Sequence, residues 1–195
     1  MSDLTQQILG HLDPSSIAAI AAQLGVDPAQ AEAAIQQAVP LVVGGLAKNA
    51  STDAGAEALH TAAADHAGTD IGSVLGSVLG GGGDGGSILR HIFGSNQGRA
   101  AQGLGQSSGI GAQGAGQLLA MLAPIVMSVL GQRAQSQGLG AGGLGGLLGQ
   151  ELQNLGRGSH GGLLASVLDR DGDGQLGLGD LLKAGSEFLG SRGRG

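Results

Sequence analysis

"AVPLVVGGL" at residues 38–46 and "LAPIVMSVL" at residues 122–130 are two apolar stretches with a proline at the same place in each. Pro40 pairs with Pro124, and Leu46 with Leu130. The correspondence extends upstream: "ILGHL" at 8–12 resembles "ILRHI" at 88–92, and Gly25–Val26 matches Gly109–Ile110. The offset is 80 residues at the start and 84 later, so a four-residue insertion, placed in "GSNQ", reconciles the two. Self-similarity in a fixed order points to a duplicated supersecondary unit. We expect repeats over residues 8–48 and 88–132 with the same helix arrangement, and Pro40 and Pro124 kinking or splitting equivalent helices.

The unit is helical. Ser2 can cap a first helix running to about His11. Asp13 with Pro14, and Asp27 with Pro28, each give an N-cap followed by proline at the first helical position, and Gly25 closes the helix between them. Residues 53–66 and 71–79 read as two further short helices. No stretch alternates apolar and polar residues with β-branched enrichment. The expected fold class is all-α, a duplicated helical repeat with homeodomain-like helix packing.

Side-chain size narrows the core. The chain has no Trp, Tyr or Cys and two phenylalanines, Phe93 and Phe188. Its interior must therefore be Leu, Ile, Val, Ala and Met. Thiolate metal sites and disulfides are excluded, and so is a stacking platform for nucleic acid. Glycine, at 42 of 195 residues, implies helices separated by flexible stretches. We read "GGGGDGG" (80–86) as one such stretch. Residues 133–162 read as a Gly-rich linker with a weak helix near 144–155. The helical domain is then residues 1–132.

Charge and hydropathy set further limits. Residues 1–89 carry one base, Lys48, against nine acids, which argues against nucleic acid as a partner. The helix-turn-helix shape of 17–35 therefore reads as a packing module. The N-terminus lacks a basic region followed by an apolar run. The longest apolar run, 118–130, is too short to span a bilayer. The expectation is a cytoplasmic chain with no transmembrane segment.

Several motifs carry little. "GQSSG" (105–109) has the G-x-S-x-G form, but the nucleophile elbow needs a strand before Ser107, and none is expected. G-x-G-x-x-G occurs at Gly138/Gly140/Gly143 and at Gly172/Gly174/Gly177, again without a preceding strand. His60 and His66 are six apart, which does not put them on one helix face. His11 and His91 occupy matching repeat positions, which suggests a structural role. Gly72, Gly76 and Gly80, four apart, would allow close helix approach if 71–79 is helical.

"LDRDGDGQLGLGDLL" (168–182) is different. Four of the fifteen carboxylates lie between Asp169 and Asp180. Counting from Asp169, Asp171 and Asp173 take positions 3 and 5, and Gly174 takes the sharp turn at position 6. Gln175 offers its backbone carbonyl at position 7, Leu176 tethers the loop, and Asp180 takes position 12. Hard oxygen ligands at alternate positions wrap a divalent cation, and without one the three leading aspartates repel each other. The expected ligands are Asp169, Asp171, Asp173, Gln175 and Asp180, for calcium (Ca2+), with magnesium (Mg2+) competing. Asp180 replaces the bidentate Glu of sensor loops and should weaken calcium affinity. "LLASVL" (163–168) and 178–189 read as the entering and exiting helices of an EF-hand-like unit over 163–190, with 191–195 as a tail.

Through "VPLVVGGLAKNAS", "GGDGGSILRHIFG", "LLAMLAPIVMSVLGQ" and "LLASVLDRDGDGQLGLGDLL" the chain resembles the bacterial YidB-like proteins, a family of unknown function (domain of unknown function 937). The resemblance covers most of residues 1–190. It implies an all-α fold with a duplicated helical unit and supplies no established activity. The loop is similar to those of EF-hands and dockerins, whose position 12 is often Asp. Dockerins carry two such loops, and one is visible here.

The expected function is a non-enzymatic, calcium-binding interaction or assembly protein, with a protein partner or self-association. An enzyme would need clustered acid and base groups outside the loop. A membrane-surface protein would need a basic amphipathic helix.

Overall fold

Asp13 shows how the sequence starts its helices. Its Oδ1 accepts from the Ser16 backbone N–H at 2.7 Å and from Ser15 Oγ at 2.8 Å. Pro14 follows at the first helical position, and Gly25 ends the helix at φ 68°. The computed structural model describes residues 3–156 except 70, 81 and 83, together with residue 162. Among these residues every regular element is helical and no strand occurs.

The helices are α1 (Asp3–Gly10), α2 (Pro14–Leu24), α3 (Pro28–Asn49), α4 (Asp53–His66) and α5 (Ile71–Leu79). They are followed by α6 (Gly85–Phe93), a 3-10 turn (Gly94–Asn96), α7 (Gln97–Ser108), α8 (Gly111–Gln137) and α9 (Ala141–Gly156). Two runs have the same order: α1–α4 with lengths 8, 11, 22 and 14, and α6–α9 with lengths 9, 12, 27 and 16. A left-handed glycine precedes the long helix in each, Gly25 at φ 68° and Gly109 at φ 76°.

Pro40 and Pro124 lie inside α3 and α8, and neither splits its helix. A proline in a helix interior costs about 3 kcal/mol. Here the surrounding turns are buried on every side, from Ala38 to Ala47 and from Met121 to Gly131. Packing of those turns offsets the lost hydrogen bond.

The fourth helix of each run packs across the bundle. α4 lies on α8 and α9 lies on α3, while α3 and α8 also touch each other. The glycines permit this closeness. A Cβ on Gly131 of α8 would stand 2.1 Å from the Ala63 carbonyl oxygen of α4, and one on Gly85 of α6 would stand 2.0 Å from that of Ala120 on α8. At Gly45 of α3, a Cβ would meet Ile92 Cγ2 at 2.6 Å and the Phe93 ring at 2.9 Å.

α8 is the central helix. Its length and composition would suit a membrane span, but 78% of its most apolar window is buried inside the bundle, the pattern of a core helix.

The described part of the expected Gly-rich linker, residues 133–156, is largely helical: α8 continues to Gln137, and the weak helix expected near 144–155 is a full helix, α9, packed on α3 and α4. Leu144, Leu148, Glu151 and Leu155 form its buried stripe. Glycine lowers helix propensity, but burial of that stripe overrides it. A Cβ on Gly145 would approach the Ala50 carbonyl oxygen at 3.2 Å, so the small residue also brings α9 close to the end of α3. The exposed stripe of α5 is the reverse case: Gly72, Gly76 and Gly80 face solvent, and Val74 on the other side is buried.

Candidate functional site

Asp169, Asp171, Asp173, Gln175 and Asp180 lie outside the described residues, as does the whole expected EF-hand-like unit. Among the described residues no group of three or more His, Cys, Asp or Glu comes together.

The polar side chains of the bundle mostly hold helix ends and corners. Asn49, at the end of α3, donates from Nδ2 to the carbonyls of His91 and Ile92, the latter at 3.3 Å. This satisfies carbonyls that the end of α6 leaves without a helical partner. Gln30 Nε2 donates to the Gly109 carbonyl at 3.2 Å, fixing the turn between α7 and α8. Ser128, fully buried on α8, donates to the Thr69 carbonyl at 2.8 Å. His60 Nε2 lies 3.1 Å from the Leu139 carbonyl, and His66 Nδ1 lies 2.8 Å from that of Ala62. Ser107 Oγ donates to the Leu104 carbonyl at 3.1 Å, inside α7. No strand precedes it, and His60 and His66 sit on backbone carbonyls rather than beside it.

Two buried polar groups are only partly satisfied. Glu151 is 6% exposed; its Oε1 accepts from the Leu4 N–H at 2.9 Å, and its Oε2 has no partner. Arg133 donates from a terminal nitrogen to Gln7 Oε1 at 3.2 Å, and its Nε is buried without a partner. Both reach the same helix, α1, one turn apart.

A cleft of about 310 Å³ with an apolar lining lies between α3, α4, α6 and α8. Leu46, Leu59, Ile88, Ile92 and Met127 form its floor and walls. Ala58 and Ala62 stand at its α4 edge, and Asn49, His66 and His91 supply the polar rim. Its volume falls at the small end of ligand pockets. A lining with no acid and no Lys or Arg suits apolar side chains rather than an anion or a metal. The cleft was not visible from the sequence, because it joins four helices far apart in the chain. The i, i+4, i+7 spacing of Gly55, Leu59 and Ala62 on α4 is the one local signal for it.

Two thirds of the chain, residues 6–133, match the family described as bacterial protein of unknown function (DUF937). Neither a curated protein nor a solved structure matches the chain.

Proposed function

Since the chain belongs to the DUF937 family of bacterial proteins of unknown function, a description that carries no activity, we propose a function from its own residues: a calcium-binding helical interaction module. The observation that carries this reading is the spacing of Asp169, Asp171, Asp173, Gly174, Gln175 and Asp180. That donor set fits a hard divalent cation, since four carboxylates and one backbone carbonyl offer oxygen only. The carboxylate charge compensates the cation, and the cation removes the repulsion among the aspartates. The shorter Asp180 reaches the ion less well than a bidentate Glu, so magnesium competes.

In this reading the bundle is a scaffold built from a duplicated unit whose fourth helices are exchanged, α4 onto α8 and α9 onto α3. The common helix order, the two left-handed glycines and the paired prolines support the duplication. Calcium fixes the angle between the segments on either side of the loop and so controls what their apolar residues can touch.

Thermal unfolding with calcium and with a chelator tests the proposal. A ligand that binds the folded form stabilises it by about 2.7 kcal/mol at a hundredfold excess over Kd. The expected outcome is a melting temperature raised by calcium and unchanged by calcium in Asp169→Ala. Equal shifts in both proteins would remove the loop as the site.

A further inference from the structure

We propose that the apolar cleft between α3, α4, α6 and α8 is the docking site for this chain's own segment 178–189, engaged when the adjoining loop holds calcium. The inference rests on the calcium reading above and assigns that loop a target.

Three observations lead to it. First, the cleft is open where the other side of the bundle is closed. α1 and α9 stand where α6 and α4 stand in the other run of helices. Across that gap Glu151 reaches Leu4, and Arg133 on α8 reaches Gln7. Beside the cleft, Asn49 at the end of α3 holds the carbonyls at the end of α6, and the floor and walls between α4 and α6 are Leu, Ile, Ala and Met side chains.

Second, segment 178–189 carries apolar residues that need cover. Leu178, Leu181, Leu182 and Leu189 recur at helical spacing, and Phe188 is one of the two aromatic residues of the chain. A single helix-loop-helix unit cannot bury both its apolar stripes against itself, so it needs another layer. The sequence supplies no second calcium loop to pair with.

Third, the segment reaches. Gly145 of α9 lies beside Ala50 and Ala56, at the corner that also carries the cleft residues Asn49 and Gly55. From there to Gly156 the helix travels roughly 17 Å at its usual rise. Residues 157–177 can cover several times that distance at roughly 3.3 Å per residue. A return to the cleft needs only part of their length.

The test uses the full chain with 13C-labelled methionine methyls. Met127 lines the cleft, whereas Met121 lies on α8 away from it, beside Ala120 and Gly85. Calcium is titrated while heat is recorded in parallel. The expected result is a Met127 methyl signal that moves with calcium occupancy while Met121 stays still. Phe188→Leu should remove most of that movement, because the ring current leaves with the ring. Ala58→Glu, at an exposed position on the cleft edge, should abolish the movement and weaken calcium binding by about tenfold. It should leave the melting temperature of the calcium-free chain unchanged. Calcium heat with a motionless Met127 overturns the docking and leaves the calcium reading standing. No heat overturns both. Movement that depends on protein concentration, with dimers in sedimentation, overturns docking within one chain.

Discussion

Glu151 on α9 accepts a hydrogen bond from the backbone N–H of Leu4, 147 residues earlier, at 2.9 Å. Leu4 lies in the first turn of α1, whose N–H groups have no helical acceptor. A side chain from the last described helix therefore caps the first. The carboxylate is also well placed for the positive end of the α1 dipole. Glu151→Ala should destabilise the bundle by about 1–3 kcal/mol, because it leaves a buried donor without a partner. Glu151→Gln keeps an acceptor and should lose less. Urea unfolding of both variants measures the difference; equal losses would remove the cap as the cause.

Gly131 offers a sharper contrast. A Cβ there would stand 2.1 Å from the Ala63 carbonyl oxygen, closer than real contacts allow. Gly131→Ala should force α4 and α8 apart and cost about 1–3 kcal/mol through overpacking. Gly146 on α9 is exposed and meets nothing within 4 Å of an added Cβ. Gly146→Ala should therefore stabilise by up to about 1 kcal/mol, through helix propensity and a less flexible unfolded chain. Opposite signs in the two melting temperatures are the expected outcome.

α9 makes a prediction about protection. The amides of Leu144 and Leu148 lie in a helix whose buried stripe packs on α3 and α4. Native-state hydrogen exchange should find them as slow as amides in α3. Exchange at the rate of a free peptide would mean that 141–156 is the flexible segment its glycine content suggests.

The reading of α9 shows where sequence stops being informative. α4 and α5 begin and end where the sequence places them, at Asp53–His66 and Ile71–Leu79. For α4 the signal is local: Thr52 Oγ1 accepts from the Gly55 N–H at 3.1 Å and caps the helix. α9 has no comparable cap in the sequence, and its glycines argue against a helix on propensity alone. What holds it is contact with α3 and α4, and the approach of Gly145 to Ala50 depends on a partner 95 positions away. The apolar cleft and the Glu151 cap were illegible for the same reason. The proposed metal loop is the opposite case. Its expected ligands lie within twelve consecutive positions, so the spacing can be read without any fold.

Asp13 gives a pH dependence. Hydrogen bonds from the Ser16 backbone and then from the Ser16 and Ser15 side chains hold its carboxyl below its ordinary value of 3.8. A depressed folded-state value means that its contribution is whole above the ordinary value and is lost as pH falls through the lowered one. Asp13→Ala should lower the melting temperature at neutral pH. The gap between wild type and variant should narrow below about pH 4. A gap that stays constant to low pH would mean the charge is not what caps α2.

Calcium titration calorimetry on the full chain tests the central claim most directly. The proposal predicts one calcium per chain, an affinity weaker than that of sensor loops, and competition from magnesium. Asp169→Ala should abolish the heat, and Asp180→Glu should strengthen binding if the loop closes around the longer side chain. No measurable heat at millimolar calcium in the wild-type chain would contradict the account.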